Sequence, residues 1–378
     1  MFNLSFKSLS SQFAKLNIMY VFWLAANILG GSLFEVYLFG LGMSITEIIS
    51  TGLVWFMGSL LLAPLFRKVP AKKFMLIGIA LGFLSILVLY AMPTANAGYL
   101  FRFLLGLTHF FFWVPFNALF YEFKKENNAL MGAMYYSVGS SLNIILPGIS
   151  GLIAAIMGYG NLFILAMIAY AATFLIATKY IQNDKVFYYN LADCLKSLSG
   201  LKTLIFLEGF APAVIVTILL DLMILKYLDQ PAEFGAFISL ATIFAIIASL
   251  ITAKISDLHK RRREFIILSS IAFGLASIFT SFSKEIGTFL LGFAMINFFK
   301  TVFFPLPMAL VVDNSKNIFH SMLGREWLLN LGRICGIASV FLLTLKYGTS
   351  EALLFCGTIL AIVYPIIFEL KKSKLDKI

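Results

Sequence analysis

The sequence predicts an all-α integral membrane protein with about twelve transmembrane helices, arranged as two six-helix halves. Hydrophobic residues make up 61% of the 378-residue chain, whereas Asp, Glu, Lys and Arg together make up only 12%. A soluble domain carries roughly 25% charged residues, so this chain is too apolar to be one. Backbone groups inside a bilayer cannot bond to water, and apolar runs of about 20 residues without strict alternation favour helices over a barrel.

Twelve apolar runs have the length of a span, six on each side of a polar connector at residues 182–200. The connector divides the chain into an N-terminal half, residues 1–181, and a C-terminal half, residues 201–378. The spans predicted in the first half are Leu16–Phe39, Ile45–Phe66, Phe74–Met92, Tyr99–Tyr121, Leu130–Met157 and Asn161–Ile181. Those predicted in the second half are Leu201–Leu225, Phe234–Ala253, Phe265–Phe282, Ile286–Val312, Gly324–Leu345 and Ala352–Phe368.

The positions of Lys and Arg predict that both termini are cytoplasmic. With this orientation, 23 of the 29 basic residues face the cytoplasm, three lie inside spans, and only Lys226, Lys284 and Lys346 fall outside. Such asymmetry follows the positive-inside rule and predicts a multi-pass protein of the cell (inner) membrane. The net charge of +11 is therefore explained by topology, and we expect no nucleic-acid partner.

Two segments of the first half recur in the second half at a similar offset. Residues Arg67–Lys73 fall on Asp257–Arg263 with an offset of about 190, and Phe103–Gly106 recurs as Phe289–Gly292 with an offset of 186. This agreement with the hydropathy pattern predicts a parallel repeat, as in transporters whose halves are related by an axis along the membrane normal.

The repeated loop resembles the signature of the major facilitator superfamily, in which the loop after the second helix of each half reads approximately Asp-Arg-x-Gly-Arg-Arg-Arg. Asp257 and Arg261–Arg263 match its acidic and basic ends. In the first half, Lys72-Lys73 matches the basic end, but Arg67 stands in place of the aspartate and Pro70 in place of the glycine. The resemblance extends over nearly the whole chain.

Further motifs are similar to members of this superfamily. The stretch Arg102-Phe103-Leu104-Leu105-Gly106 fits the Arg-x-x-x-Gly of the fourth helix, and Gly324–Arg333 looks like the start of the eleventh helix in bacterial members. The fifth span departs from the drug-antiporter pattern, because Leu146 precedes Pro147 where a glycine is expected. The resemblance implies secondary active transport by alternating access, with the first, fourth, seventh and tenth helices lining a central cavity.

Polar residues inside the spans are the candidates for substrate binding, because such residues are costly in a membrane. They are Asn27, Arg102, His109, Asn143, Asn297, Lys300 and Arg333. Arg binds carboxylates and phosphates bidentately and Lys acts as a point charge, so this basic set predicts an organic anion or anionic amphiphile as the small-molecule substrate. In the alternative interpretation, Arg102 pairs with Glu35 or Asp221 and Arg333 bonds to a carbonyl, which leaves Lys300 for the chemistry.

Glu35 and Asp221 are the predicted proton carriers, because carboxylates in apolar surroundings can bind protons near neutral pH. His109 is a third candidate, although a lone histidine in an aromatic run also fits simple packing. The predicted gate consists of Arg67, Lys72, Lys73, Asp257, Arg261, Arg262, Arg263, Glu122 and Asp313. Because Asp257 has no acidic counterpart in the first half, we expect Asp257→Asn to shift the conformational equilibrium more than Arg67→Asn.

The sequence contains no glycine-rich phosphate loop, metal-ligand spacing or catalytic triad, so we expect neither an enzyme nor a cofactor. Cys194, Cys335 and Cys356 are interpreted as small apolar residues without a disulfide. Two other functions stay open: a proton-coupled multidrug or lipid exporter, and a non-transporting membrane receptor or assembly partner. The expected partners are a small molecule, protons and the lipid bilayer, and the chain is expected to be a monomer.

Overall fold

The computed structural model describes residues 11–122, 128–181, 185–243 and 262–371, and nearly all of these residues are helical. Within these ranges, eleven helices are long and apolar enough to cross a membrane. The predicted all-α membrane fold is therefore confirmed. The eighth predicted span is described only as the helix Pro231–Thr242, because its second part lies outside the described residues.

The spans are numbered here in chain order. In the first half they comprise Ser11–Gly31 with Phe34–Gly40, Ile45–Leu62, Ala71–Ala91, Ala95–Thr108 continued through His109–Trp113 and Val114–Glu122, Asn128–Met157, and Tyr159–Tyr180. In the second half they comprise Lys202–Glu208 continued through Gly209–Ala213, Ile215–Leu219 and Leu220–Ile224, then Pro231–Thr242, Arg262–Ser281, Ile286–Phe303 with Pro305–Asp313, Ile318–Lys346, and Thr349–Thr358 continued through Ile359–Val363 and Tyr364–Leu370.

Several spans deviate from a regular α-helix next to a proline. The fourth span widens into a π-helical turn at His109–Trp113 just before Pro115, and the seventh does so at Gly209–Ala213, around Pro212. The tenth is interrupted ahead of Pro305. Proline lacks an N–H and its ring clashes with a carbonyl one turn earlier, so the hydrogen-bond ladder is displaced there. These deviations lie in three of the four spans expected to line the cavity, and the twelfth span has a further one at Ile359–Val363, before Pro365.

The eleventh span begins earlier than the sequence predicts. The helix starts at Ile318 rather than Gly324, so Arg325 and Glu326 lie about two turns inside it, and both are buried. Arg325 was counted among the basic residues of the cytoplasmic side, whereas the structure buries it within the helix. Each of these charges instead has a partner on another span, which offsets the cost of removing it from water.

Two pairs of spans form the most extensive contacts between the two halves. The second span packs on the eleventh, where Asn330 Nδ2 donates to Ser59 Oγ at 3.0 Å and Trp327 Nε1 donates to the carbonyl of Leu60 at 3.3 Å. The fifth packs on the eighth, where the N–H of Gly148 donates to Ser239 Oγ at 2.9 Å. Close contact of this kind needs small residues, because association inside lipid depends on packing and hydrogen bonds between helices.

A short antiparallel sheet lies at one face of the bundle. Strand β1, Lys68–Pro70, joins the second and third spans, and strand β2, Val186–Tyr188, belongs to the connector. Lys68 pairs with Tyr188 and Pro70 with Val186. The connector continues into a short helix, Leu191–Ser197, named here the connector helix. We call this side the connector face and the other side the opposite face. The polar connector was predicted, but its strand was not.

Candidate functional site

A cavity of about 500 Å³ lies between the two halves, near the middle of the bundle. The first, second, fourth and fifth spans form its wall on the first half, and the seventh, tenth and eleventh spans form its wall on the second half. Its polar lining residues are Tyr20, Asn27, Trp55, Arg102, Thr108, His109, Trp113, Asn117, Tyr135, Ser140, Asn143, Glu208, Thr217, Lys300, Thr301, Arg325, Glu326 and Arg333. A cavity of this size suits a small organic molecule.

The wall on the first half is largely aromatic. Tyr20 stacks on Tyr135 with ring centroids 5.1 Å apart and meets Trp113 edge to face at 5.9 Å. Behind them, Trp23 stacks on Phe112 at 3.8 Å. Because each ring is held by its neighbours, Tyr20, Trp113 and Tyr135 form a preorganised apolar surface with polar edges.

Arg102 is neutralised inside the first half. Its guanidinium forms an ion pair with Glu35, and both side chains are buried. The guanidinium also lies between the rings of Phe34 and Trp55, at 4.3 and 4.2 Å from their centroids. Arg102 lines the cavity and Glu35 does not. This pairing matches the alternative interpretation of Arg102 as part of a structural ion pair.

A second ion pair lies inside the second half. Arg325 of the eleventh span binds Glu208 of the seventh, and both residues are buried and line the cavity. Neither residue was among the candidates. Glu208 could have been found from the sequence, because it is a charged residue two turns into an otherwise apolar run. Arg325 lies in a motif that the sequence analysis describes without assigning it a role.

Glu326 connects the two halves. Its Oε1 lies 2.9 Å from Nδ1 of His109 on the fourth span and 3.2 Å from Nη1 of Arg333 on its own span. Arg333 also donates to Asn330 Oδ1 at 2.7 Å and lies 5.0 Å from the ring centroid of Phe56. A single buried carboxylate thus satisfies a histidine of one half and an arginine of the other. Glu326 was missed as a candidate, whereas its two partners were predicted.

Lys300 differs from the other cationic residues of the cavity. It is half-buried, and among the described residues it forms no ion pair shorter than 4 Å. Its electrostatic partner is Asp221 on the seventh span, which does not line the cavity. Asp221 also interacts with Arg102 and Glu35, so charges from the first, fourth, seventh and tenth spans influence one another.

The other predicted binding residues divide between the cavity and the helix interior. Asn27 and Asn143 line the cavity, and each donates its amide to the carbonyl four residues earlier, at 2.7 and 3.0 Å. Asn297 is buried, donates to the carbonyl of Phe293 and does not line the cavity. The geometry therefore supports Asn27 and Asn143 as site residues and gives no such support for Asn297.

The predicted gate residues are dispersed over the connector face. Glu122 pairs with Lys185 of the connector at 2.7 Å, and Arg263 pairs with Glu369. Asp313, Arg67 and Lys73 are exposed and Lys72 is half-buried. Asp257, Arg261 and the side chain of Arg262 lie outside the described residues. The expectation that Asp257→Asn shifts the conformational equilibrium more than Arg67→Asn stays a prediction.

Within the described residues there is no group of three or more His, Cys, Asp or Glu side chains that could hold a metal ion. The polar groups of the cavity instead form charge pairs that leave room for an organic solute. Of the charged groups that face the cavity, His109 and Glu326 form a pair that joins the two halves, whereas the ion pairs of Arg102 and Arg325 each lie within one half.

Solved transporter structures share this fold over nearly the whole chain. The human organic anion transporter MFSD10 (TETRAN) is 11% identical, with 95% of this chain and 99% of that chain covered and a TM-score of 0.67. The Escherichia coli fucose:proton symporter FucP is 13% identical, with coverages of 95% and 98% and a TM-score of 0.65. A bacterial homologue of the iron transporter ferroportin, in an outward-facing state, is 13% identical, with coverages of 96% and 99% and a TM-score of 0.68.

In sequence, no curated protein matches the chain significantly. A family model does match: residues 203–376 fit the model described as Major Facilitator Superfamily. The match covers the half that carries the better copy of the signature loop, and the fold extends the likeness to the first half. Residues 203–376 therefore match the major facilitator superfamily, and the solved transporters share the fold of nearly the whole chain.

Proposed function

We propose that the protein cotransports an organic anion, aromatic or otherwise amphiphilic, with a proton, by alternating access between residues 1–181 and 201–378. The observation that carries the proposal is the position of Lys300, which lines the cavity and interacts electrostatically with Asp221, a residue outside the lining. The structural likenesses, at 11–14% identity, support the fold alone, so the substrate class depends on these residues.

The charge balance of the cavity favours Lys300 as the anion-binding residue. Arg102, Arg325 and Arg333 each have a carboxylate partner within ion-pair distance. An arginine whose charge is already compensated attracts a second anion weakly. Lys300 has no such direct partner among the described residues, so its ammonium group is the cation that an entering anion meets. Thr301, beside it in the lining, supplies a hydroxyl group.

Asp221 provides a physical route to proton coupling. While Asp221 is ionised, it partly compensates the charge of Lys300 and repels a second anion. When Asp221 takes up a proton, Lys300 becomes the excess charge and an anion binds more tightly. By linkage, a bound anion favours the proton on Asp221 to the same degree, so both are carried together. Glu35 and His109 already bind Arg102 and Glu326, and we assign them secondary roles.

The aromatic wall favours an amphiphilic anion over a small inorganic one. Tyr20, Trp113 and Tyr135 present ring faces and edges to the cavity, and Phe304 and Met308 of the tenth span add apolar surface near Lys300. Burying an aromatic or alkyl group against such a wall contributes about 25 cal/mol per Å² of apolar surface. We also place the connector face in the cytoplasm of a cell membrane, because the basic residues concentrate there, and propose a monomer.

The proposal is tested with naphthalene-2-sulfonate, a permanently charged aromatic anion, and with its uncharged analogue 2-naphthalenemethanol. We expect the sulfonate, but not the alcohol, to raise the unfolding temperature of the purified protein, because a ligand of the folded state stabilises it. A panel of aromatic and alkyl sulfonates and carboxylates then ranks the apolar part. Stabilisation by the alcohol analogues as large as that by the anions would contradict an anion site.

Uptake of radiolabelled naphthalene-2-sulfonate into proteoliposomes tests the coupling. We expect an inward proton gradient to accelerate uptake by the unmodified protein. Lys300→Met should abolish uptake, whereas Asp221→Asn should retain uptake whose rate no longer depends on the gradient. Lys226→Met is the matched control, because Lys226 lies on the opposite face and donates to Ser350 at 2.8 Å. Equal uptake by Lys300→Met and Lys226→Met would contradict the assignment of Lys300.

A second candidate is a proton-coupled exporter of hydrophobic drugs or lipids, which the aromatic wall also suits. It predicts that Trp113→Ala removes transport of uncharged amphiphiles whereas Lys300→Met does not. A receptor or assembly partner of another class would bind ligand stoichiometrically in the thermal-shift experiment and show no flux in proteoliposomes.

A further inference from the structure

Strand β2 of the connector is attached to the first half. Beyond the paired residues of β1 and β2, the N–H of Ala71 donates to the carbonyl of Lys185 at 2.9 Å, and the N–H of Tyr189 donates to the carbonyl of Arg67 at 3.0 Å. The hydroxyl group of Tyr189 donates to the carbonyl of Ala63 at the end of the second span, at 2.7 Å. All of these partners belong to the second and third spans or the turn between them.

The connector helix, Leu191–Ser197, is attached to the second half. It packs along the start of the eleventh span, where a Cβ at Gly324 would lie only 2.7 Å from the carbonyl oxygen of Cys194. The hydroxyl oxygens of Ser197 and Ser321 lie 3.4 Å apart. Glycine at position 324 therefore permits backbone contact between the two helices, and the connector helix is packed directly on the eleventh span.

The strand and the connector helix meet at Asn190, whose side chain caps the helix by accepting from the N–H of Ala192 at 3.1 Å. Across this junction, the ring of Phe187 on β2 stacks on Phe319 of the eleventh span, with centroids 4.2 Å apart and planes 6° from parallel. A ring nitrogen of His320 lies 3.1 Å from the carbonyl oxygen of Tyr188. Phe187 and Phe319 are buried although they lie at the edge of the bundle.

We propose that the Phe187–Phe319 stack, together with the contact between His320 and the Tyr188 carbonyl, is a latch between the halves that opens once in each transport cycle. Asn190 is the pivot. This inference rests on the alternating access proposed above. When the halves separate at the connector face, β2 follows the first half and the connector helix follows the second. The contacts between them are the Phe187–Phe319 stack, the ring contact of Tyr189 with Phe319 at 5.9 Å and the contact between His320 and the Tyr188 carbonyl. They include fewer hydrogen bonds than the sheet that attaches β2 to the first half.

The latch also accounts for the unusual loop of the first half. Arg67 stands where the resemblance predicts an aspartate, so this loop lacks a carboxylate with which to fasten the halves. Main-chain pairing of β1 with β2 and the aromatic stack on Phe319 provide that fastening without any acidic residue. The carbonyl of Arg67, not its side chain, takes part.

The test measures distances between spin labels in protein reconstituted into nanodiscs. One label replaces Lys73 of the first half and the other replaces Lys316 of the second half, both exposed at the connector face. We expect Phe187→Ala and Phe319→Ala each to increase the ratio of the long-distance to the short-distance population about two- to tenfold, which is the effect of losing one aromatic pair. The labels touch neither ring of the latch.

Two controls make the result specific. Tyr347→Ala removes an exposed aromatic side chain at the opposite face and should leave the Lys73–Lys316 distances unchanged. Phe319→Leu keeps an apolar side chain without the stack, so it should shift the populations even if the alanine variant folds poorly. Unchanged populations in both Phe187→Ala and Phe319→Leu would overturn the latch.

A second label pair, at Asn96 and Lys284 on the opposite face, separates failure of the latch from failure of alternating access. Both positions are exposed. If the halves alternate, conditions that lengthen the distances at the connector face shorten those at the opposite face. Two opposed populations that ignore the Phe187 and Phe319 variants would overturn the latch alone. A single population at both faces at pH 5, 7 and 9 would overturn the proposed alternation and the latch with it.

Discussion

Glu326→Gln should shift the protein away from the conformation described here, whereas Glu208→Gln should not. Both carboxylates are buried, line the cavity and bind an arginine of the eleventh span. They differ in one respect, because Glu326 also bonds to His109 of the other half at 2.9 Å, whereas the ion pair of Glu208 is contained within the second half. The two variants therefore form a matched pair.

The size of the effect follows from the bonds that cross between the halves. A hydrogen bond to a charged group contributes about 1.5–3 kcal/mol, and Glu326→Gln keeps the shape of the side chain but removes the charge. If this amount is lost only in the state that holds the His109–Glu326 bond, the equilibrium with the other state moves about 10- to 150-fold. For Glu208→Gln the corresponding loss falls on both states equally, so it lowers stability and leaves the equilibrium in place.

The assay combines the two pairs of spin labels with a thermal unfolding measurement. We expect Glu326→Gln to change the distance populations at both faces in opposite directions, and Glu208→Gln to lower the unfolding temperature without changing them. His109→Ala should reproduce the population shift of Glu326→Gln, and the double variant should add little to either. A shift in Glu208→Gln as large as that in Glu326→Gln would refute the reasoning, because the effect would then arise from lost stability alone.

Two further predictions concern packing and thiol chemistry. Gly106→Ala should destabilise the protein by about 1–3 kcal/mol through overpacking, because its Cβ would lie 1.7 Å from a backbone carbonyl oxygen of Trp55. Gly139→Ala is the control, since its Cβ would find only a leucine methyl at 3.8 Å, and its unfolding temperature should not fall. Burial raises the pKa of the Cys194 thiol to about 12, from an ordinary value of 9.0. In a variant without the other cysteines, maleimide labelling of Cys194 should therefore keep accelerating about tenfold per pH unit between pH 9 and 11, where labelling of an ordinary thiol levels off. An unchanged unfolding temperature in Gly106→Ala, or a labelling rate that levels off near pH 9, would contradict these two expectations.

Much of the fold could be predicted because a bilayer imposes simple requirements on length and composition. Each span is recognisable in the sequence as an apolar run of sufficient length, and an error arose at the start of the eleventh span. The eleventh span was predicted to start at Gly324, but the helix begins six residues earlier, at Ile318, and inside it Glu208 and His109 compensate Arg325 and Glu326. A sequence records that a residue is charged but not which distant residue faces it.

Many of the residues that line the cavity could be predicted from the sequence, but the net charge that they present to the cavity could not. Arg102, His109, Lys300 and Arg333, predicted as binding residues because they are polar residues inside spans, all line the cavity. The sequence analysis treated these residues as a basic set. In the structure, the carboxylates of Glu35 and Glu326 compensate most of that charge. Pairing depends on side-chain direction across helices that are more than 60 residues apart in the chain, and helical periodicity carries no information about that.

The repeat explains how one fold can use two similar carboxylates for different purposes. The offset of 186 that relates Phe103–Gly106 to Phe289–Gly292 also places Glu35 on Asp221, on the first and seventh spans. Their basic partners do not follow the same symmetry. Arg102 lies seven residues into a helix that begins at Ala95, whereas Lys300 lies fourteen residues into its counterpart, which begins at Ile286, so Lys300 is about 10 Å deeper at 1.5 Å per residue.

In the mechanism we propose, this difference in depth separates the carboxylate that responds to a substrate from the one that does not. Glu35 has its arginine within ion-pair distance, and that arginine lies between two aromatic rings, so the pair is saturated. Asp221 faces a lysine that extends toward the cavity and interacts with it only over a longer distance. An entering anion can therefore replace Asp221 as the partner of Lys300, but it cannot replace Glu35 as the partner of Arg102. The first and seventh spans are related by the repeat, but the basic partners of Glu35 and Asp221 are not. The proton coupling that we propose depends on this difference between the two halves.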